Sequence, residues 1–264
     1  MNVLPTLLPS SLLPGRLLGT LATGEPIGPP DPSYRLGDPG WPAVAPTLII
    51  PTLDSSGSVT SPIGTDPLSN RFVEMAHAFA VVARKGSRHE LAAVLHFDTP
   101  SQSDVAPVPI TRRGLVALRA GLRVPPDGAG SSELGPSLSR AVAIAEAHPD
   151  HAATLVVLSD FLLLDPNPTG ALAELAAFPG DVHALVLGTR LPAGVLDERI
   201  TVTHVGRDDP PGAVARALLA SLTTHRPGSR SAPTNLDARI RRRRMSWIPQ
   251  HISHATRDQP IGVR

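Results

Sequence analysis

The chain of 264 residues contains no cysteine. That excludes a disulfide framework, a thiolate zinc site and a cysteine nucleophile. Aromatic residues make up only 3%, too few for the stacking platform on which single-stranded nucleic acids lie. Lysine occurs once, at Lys85, so arginine carries the rest of the Lys+Arg charge. No apolar run approaches the roughly 20 residues that a membrane-spanning helix needs. The opening MNVLPTLLPSSLLPGRLLGTL is rich in leucine, but it lacks the basic n-region of a signal peptide, and Pro5, Pro9 and Pro14 interrupt it. With neither a signal nor cysteine, the sequence reads as cytoplasmic. Its heavy use of alanine, proline and arginine resembles the composition that a GC-rich bacterial genome gives.

What is present divides the chain into three. Hydrophobic residues make up 41% and charged residues 18%, enough apolar material for a folded core rather than a disordered chain. Ten of the 30 prolines fall within residues 1–46. Proline fixes φ and removes a backbone donor, so no long helix or central strand fits there. Residues 1–45 are therefore read as a Pro/Leu-rich arm, either irregular chain or a leucine-bearing docking segment for a partner. At the other end, residues 225–264 hold nine arginines against Asp237 and Asp258. Their net charge of +7 leaves −6 for residues 1–224 in a chain of net +1. The expected organisation is an arm (1–45), a mildly acidic body (46–225) and a basic, flexible tail (226–264).

Within the body, apolar segments with strand and helix periodicity alternate. TLIIPTL (47–53), ELAAVLHF (90–97), ATLVVLS (153–159), DVHALVLG (181–188) and ITVTHV (200–205) read as strands. VAPVPI (105–110) is strand-like, but its two prolines place it at an edge. Helices are expected over 68–85, 112–121, 133–147, 169–178 and 211–222. In the first, Phe72, Ala76, Phe79, Ala80 and Ala83 form the expected buried stripe. Strands separated by helices imply parallel strands with crossovers. The expected fold is α/β: a doubly wound, mostly parallel sheet covered by helices on both faces, with one antiparallel edge strand.

In such a sheet, ligands bind at the carboxyl ends of the strands. Three loops at that end carry oxygen donors. Asp54-Ser55-Ser56-Gly57-Ser58 follows the first strand, Gly130-Ser131-Ser132-Glu133 precedes a helix, and Ser159-Asp160 ends the strand 153–159. Carboxylates and hydroxyls suit hard divalent cations, which keep several waters. Taken alone, the first loop reads equally as a turn with a helix-capping serine.

Asp54-x-Ser56-x-Ser58 after a buried strand resembles the first segment of the metal-ion-dependent adhesion site of von Willebrand factor A domains. Ser132 before its helix and Asp160 at its strand end resemble the second and third segments. The likeness covers about residues 46–225 and follows the order of the elements. It implies that Ser56 and Ser58 coordinate a metal through their hydroxyls, that Asp54 and Asp160 hold it directly or through water, and that Ser132 engages when ligand binds. It implies Mg²⁺, with Mn²⁺ equally acceptable to oxygen donors, and a protein partner that offers an Asp or Glu side chain. It also implies a non-enzymatic role in a bacterial multi-protein or ATPase-associated system. Two positions depart from the family. Serine stands at 132 where threonine is usual, with Ser131 as the alternative hydroxyl. Phe161 follows Asp160 where glycine is frequent, and Phe161–Leu164 either rims the site or plugs the core.

Other chemistry finds less in the sequence. The ten histidines are scattered, with no H-E-x-x-H, and neither a G-x-S-x-G elbow nor a Walker A string occurs. No catalytic residue is assigned. Asp98 ends another strand on the same side and reads as loop structure or as a second layer around the site. A Mg²⁺-dependent phosphoester enzyme using Asp54 and Asp160 is the alternative from another class. A third reading gives binding to the tail: Arg239, Arg241, Arg242, Arg243 and Arg244 suit nucleic acid or an acidic surface.

Overall fold

The computed structural model describes residues 34–232 apart from 62, 67–70, 98, 129 and 189. The arm as far as residue 33, Asp98, and Arg239, Arg241, Arg242, Arg243 and Arg244 lie outside the described residues. In chain order the elements are β1 (Gly37–Asp38), β2 (Thr47–Leu53), α1 (Gly57–Thr60), α2 (Arg71–Ala83), β3 (Glu90–His96), β4 (Val105–Pro109) and α3 (Gly114–Gly121). Then come α4 (Gly135–Glu146), β5 (Ala152–Ser159), α5 (Pro168–Ala176), β6 (Asp181–Leu187), β7 (Thr201–Val205), α6 (Ala213–Thr223) and β8 (Arg230–Ser231). Among the described residues no helix is long and apolar enough to cross a membrane.

The main sheet has the order β4-β3-β2-β5-β6-β7. Its strands run parallel except β4, which pairs antiparallel with β3 at the edge. The two prolines of β4 thus sit where a missing donor costs least. Pro51 lies in the central strand β2; the pairing with β3 passes over Ile50 and Pro51, while that with β5 continues through both. Successive strand residues feed opposite cores, as the period of two requires. Leu155 and Val157 of β5 pack with Leu138 of α4 and Leu175 of α5. Val156 and Leu158 pack with Met75 of α2, Leu118 of α3 and Leu218 of α6. Each such fully buried aliphatic side chain is worth about 1.5–3 kcal/mol, so the sheet is fixed by burial on both faces.

Two expectations are corrected. The buried face of α2 is Met75, Ala78, Phe79, Val81, Val82 and Ala83, together with Arg71 and Glu74. Phe72, Ala76 and Ala80 are only half-buried. The expected stripe meets this face at Phe79 and Ala83, and Phe72 and Ala76 pack against the core from its edge; Arg71 and Glu74 share the inward face, where a hydrophobic pattern cannot register them. The second correction is at the ends of the body. Residues 34–45 and 226–232 pair with each other and with the body: β1 pairs antiparallel with β8, and the Trp41 N–H donates to the Pro227 carbonyl at 2.9 Å. Arg226, assigned to the tail by composition, is only 4% exposed. Its Nε lies 2.9 Å from Glu90 Oε1, and Nη2 donates to the Lys85 carbonyl at 2.6 Å. Charge density alone does not distinguish a solvated arginine from one bonded across 136 residues of sequence.

Candidate metal site

Strands β2 and β5 are neighbours in the sheet, so the loops that leave them emerge side by side. The Asp54 N–H donates to the Leu158 carbonyl at 3.0 Å, carrying the ladder one residue past the end of β2. Asp54 is fully buried. Its Oδ1 accepts from the Ser56 N–H at 2.9 Å, and its Oδ2 accepts from the Ser159 hydroxyl at 2.6 Å. The chain then enters α1, and Ser56 stands at the cap position without a side-chain capping bond. Its Oγ lies 3.1 Å from Ser58 Oγ instead. The helix-cap explanation of this serine therefore does not describe its hydroxyl. Ser58 is exposed and Ser56 buried, so the hydroxyl pair reaches from the interior to the surface.

The third loop turns sharply. Asp160 is 1% exposed, and its Oδ1 accepts from the Leu162 N–H at 3.1 Å. Its Oδ2 is buried with no hydrogen-bond partner among the described residues. Phe161 has φ of 58°, the left-handed region that a side chain enters at a cost of about 1–2 kcal/mol. A glycine would take that turn freely, but the Phe161 ring is buried in the core shared with α4 and α5, and that burial offsets the strain. Leu162 and Leu164, by contrast, are 61% and 73% exposed. Phe161 thus plugs the core, and Leu162 and Leu164 are exposed on the loop that follows Asp160.

The second loop is tied to both neighbours. The Leu164 N–H donates to the Ser132 carbonyl at 3.2 Å. Asp165 reaches across to accept from the Leu134 and Gly135 N–H groups at 2.9 and 2.8 Å, which satisfies the otherwise open start of α4. A Cβ on Gly130 would lie 3.8 Å from the Ser55 carbonyl oxygen, so this loop also adjoins the first. Ser132 is buried. Ser131 Oγ accepts from the Glu133 N–H at 2.9 Å, which leaves it a second lone pair, so both hydroxyls of this loop stay candidates.

The electrostatics follow from burial. Burial pushes the Asp54 carboxyl above its ordinary range; hydrogen bonds from Ser159 and Ser56 pull the other way, and the Asp160 charge adds to the rise. Asp66, on the loop after α1, is likewise raised by burial and opposed by Arg71. Arg71 opens α2 with its side chain fully buried, and its Nε is 3.8 Å from Asp66 Oδ2. Burial lowers its pKa, while Asp66, Asp54 and Asp160 act in the opposite direction. Among the described residues no three His, Cys, Asp or Glu side chains cluster as metal ligands, so any cation here draws on two carboxylates plus hydroxyls. The donor set fits such an ion: all oxygen, with a buried Asp160 Oδ2 that has no hydrogen-bond partner among the described residues.

Sequence reasoning missed Ser159 as a bridge to Asp54, Asp165 as the anchor of α4, and Arg71. Ser159 had a signal in its position at a strand end. The other two act through contacts between distant segments and have no local pattern.

No protein-family model and no curated relative matches the chain. Comparison with solved structures finds a von Willebrand factor type A protein from Catenulispora acidiphila, 16% identical, covering 74% of this chain and 49% of that one at a TM-score of 0.47. Proximal thread matrix protein 1 of the mussel byssus, with a zinc-occupied MIDAS motif, is 15% identical over 70% of this chain and 48% of its own, with a TM-score of 0.45. The manganese-loaded TRAP protein of Plasmodium vivax is 8% identical over 72% and 76%, at 0.43. The chain spans about half the length of the first of these. The chain itself shows the expected α/β class: a mostly parallel, doubly wound sheet with one antiparallel edge strand.

Proposed function

We propose that the chain is a divalent-metal-dependent protein-binding module. Asp54, Ser56, Ser58, Ser132 and Asp160 would hold Mg²⁺ or Mn²⁺, and the bound ion supplies an open coordination position for an anionic oxygen from outside. The observation that carries this reading is Asp160 Oδ2. A buried carboxylate oxygen without a partner costs stability, and it lies in a loop tied to a second buried carboxylate and a pair of serine hydroxyls. The chain's own residues prepare the site. Ser159 and the Ser56 N–H fix Asp54, the Asp165 contacts hold the second loop against the third, and the turn at Phe161 sets Asp160 at the strand end.

The partner class follows from the rim. Leu162, Leu164 and Ile63 are exposed apolar residues on loops at this end of the sheet; Ile63 belongs to the loop whose Thr65 N–H donates to the Ser58 carbonyl. A protein that presents an Asp or Glu side chain flanked by apolar residues complements an apolar rim around a cation. The zinc-occupied and manganese-loaded neighbours support a divalent ion in folds of this kind.

Titration with Mn²⁺, followed by the loss of its free electron-paramagnetic-resonance signal, tests the metal. The wild type binds one equivalent, while Asp54→Asn and Asp160→Asn bind none. Peptides carrying one carboxylate between apolar residues then bind only when Mn²⁺ or Mg²⁺ is present. Equal Mn²⁺ uptake by the wild type and Asp160→Asn, with both folded, removes the proposal.

A further inference from the structure

Ser58 stands on α1, a helix of only four residues. In a longer α-helix its carbonyl would accept from the N–H four residues on. Residue 62 is proline, which has no N–H to give. The bond comes instead from seven residues on. The Thr65 N–H donates to the Ser58 carbonyl at 2.9 Å, and the Thr65 hydroxyl donates to the same oxygen at 3.4 Å. The next residue repeats the pattern, with the Asp66 N–H donating to the Val59 carbonyl at 3.0 Å. The chain that leaves α1 thus folds back along it. Gly64 permits that approach: a Cβ there would lie 2.3 Å from the Val59 carbonyl oxygen and 2.9 Å from that of Ser58.

The same loop abuts the main sheet. Gly188, the residue after β6, has φ of 78°, and its N–H donates to the Val205 carbonyl of β7 at 2.8 Å. A Cβ on Gly188 would lie 2.6 Å from both Cβ and Cγ2 of Thr65. Thr65 is therefore bonded to Ser58 and stopped by the end of β6. Asp66, 3.8 Å from the buried Arg71 Nε, ties down the far end of the loop.

We propose that Thr65 is a positioning residue for the candidate ligand Ser58, and that its contact with Gly188 sets where the Ser58 hydroxyl stands for the metal. The proposal rests on the metal reading above. Ser58 is exposed, with its Oγ 3.1 Å from Ser56 Oγ. An exposed hydroxyl on a single helical turn loses freedom when it is recruited to a cation, and a backbone already fixed from the sheet side lowers that cost. The hold acts on the Ser58 main chain, so it leaves the hydroxyl oxygen open to the ion.

Mn²⁺ affinity, read from the free electron-paramagnetic-resonance signal, and thermal midpoints in EDTA are measured for five proteins. Thr65→Val keeps the shape against Gly188 and deletes the hydroxyl bond; its affinity falls roughly three- to tenfold. Thr65→Ser keeps the bond and stays within about twofold of wild type. A role in packing alone gives the reverse order, with valine tolerated and serine not, and overturns the proposal. Gly188→Ala displaces Thr65, and affinity falls about tenfold or more. Gly228→Ala supplies the control for backbone strain: its φ is 73° and the nearest atom to an added Cβ is 4.0 Å away, so its midpoint falls while its affinity holds. Equal loss of affinity in Gly188→Ala and Gly228→Ala overturns the positioning role. If Gly188→Ala does not fold, the order of the two Thr65 variants decides. Wild-type affinity in every folded variant removes this proposal alone, whereas no Mn²⁺ binding by the wild type removes the metal reading and this proposal with it.

Discussion

The two ends of the main sheet each bury an arginine among carboxylates and treat it differently. At the amino end, Arg226 pairs with Glu90 at 2.9 Å and donates to a backbone carbonyl. Glu90 also accepts from the N–H groups of Ala43 and Ser87. His183, at the same end, has both ring nitrogens within bonding distance of hydroxyls, Ser221 at 2.5 Å and Thr203 at 2.8 Å. At the carboxyl end, the Arg71 guanidinium, Asp160 Oδ2 and Ser55 Oγ have no hydrogen-bond partner among the described residues. The amino end uses most of these polar groups for folding, with Arg226 Nε and Nη1 left without a hydrogen-bond partner among the described residues. The carboxyl end leaves several unmatched, a cost that folding alone does not explain and that a ligand can recover.

The contrast is easiest to break at Glu90. Replacing it with alanine strands the Arg226 guanidinium and two backbone donors in the interior. Glu90→Ala should lower stability by about 3–5 kcal/mol in urea unfolding. A loss below about 1 kcal/mol would mean that the amino end is no better matched than the site.

Asp165 is a structural carboxylate inside the functional end and so sharpens the comparison. Asp165→Ala opens two N–H groups at the start of α4 and should cost roughly 2 kcal/mol. Because the same contacts hold the second loop against the third, Mn²⁺ affinity should fall with it. Stability that drops while Mn²⁺ affinity holds would show that Ser132 does not depend on this anchor.

How much of this was legible in the sequence depends on the range of the interaction. The alternation of strands and helices, the edge placement of the proline-containing β4 and the three strand-end loops are local patterns, and they appear in the structure where the pattern puts them. Asp54, Ser56 and Ser58 could be read as candidates because two-residue spacing in one loop is visible in a string. Glu74 could not: it looks like a surface residue of an amphipathic helix, yet its carboxylate accepts from the N–H groups of Gly212 and Ala215, 138 and 141 residues away. Arg71, Asp165 and Arg226 were missed or misplaced for the same reason. A buried charge is made tolerable by partners that only the fold supplies, and a hydrophobic pattern counts it as an exposed position.

Asp160→Asn should give the opposite outcome to Glu90→Ala. The asparagine keeps an oxygen for the Leu162 N–H and removes an unmatched buried charge, so metal-free stability should stay within about 1 kcal/mol of wild type. Divalent binding should be lost nonetheless. A large destabilisation together with retained Mn²⁺ binding would reverse the roles assigned to the two ends.

The smallest effect expected is one of pH, at the amino end. Burial holds the His183 imidazole below its ordinary pKa, so below about pH 6.5 the unfolded chain takes up a proton that the folded chain resists. The stability this group confers is present above that value and is lost as pH falls through it toward the lowered folded pKa. Urea midpoints at pH 8 and pH 5.5 should therefore fall further for wild type than for His183→Gln, compared as differences so that the other titrating groups cancel. Equal falls would mean that the hydroxyls of Ser221 and Thr203 accommodate the charged ring, and that the amino end holds its polar groups less rigidly than its hydrogen bonds imply.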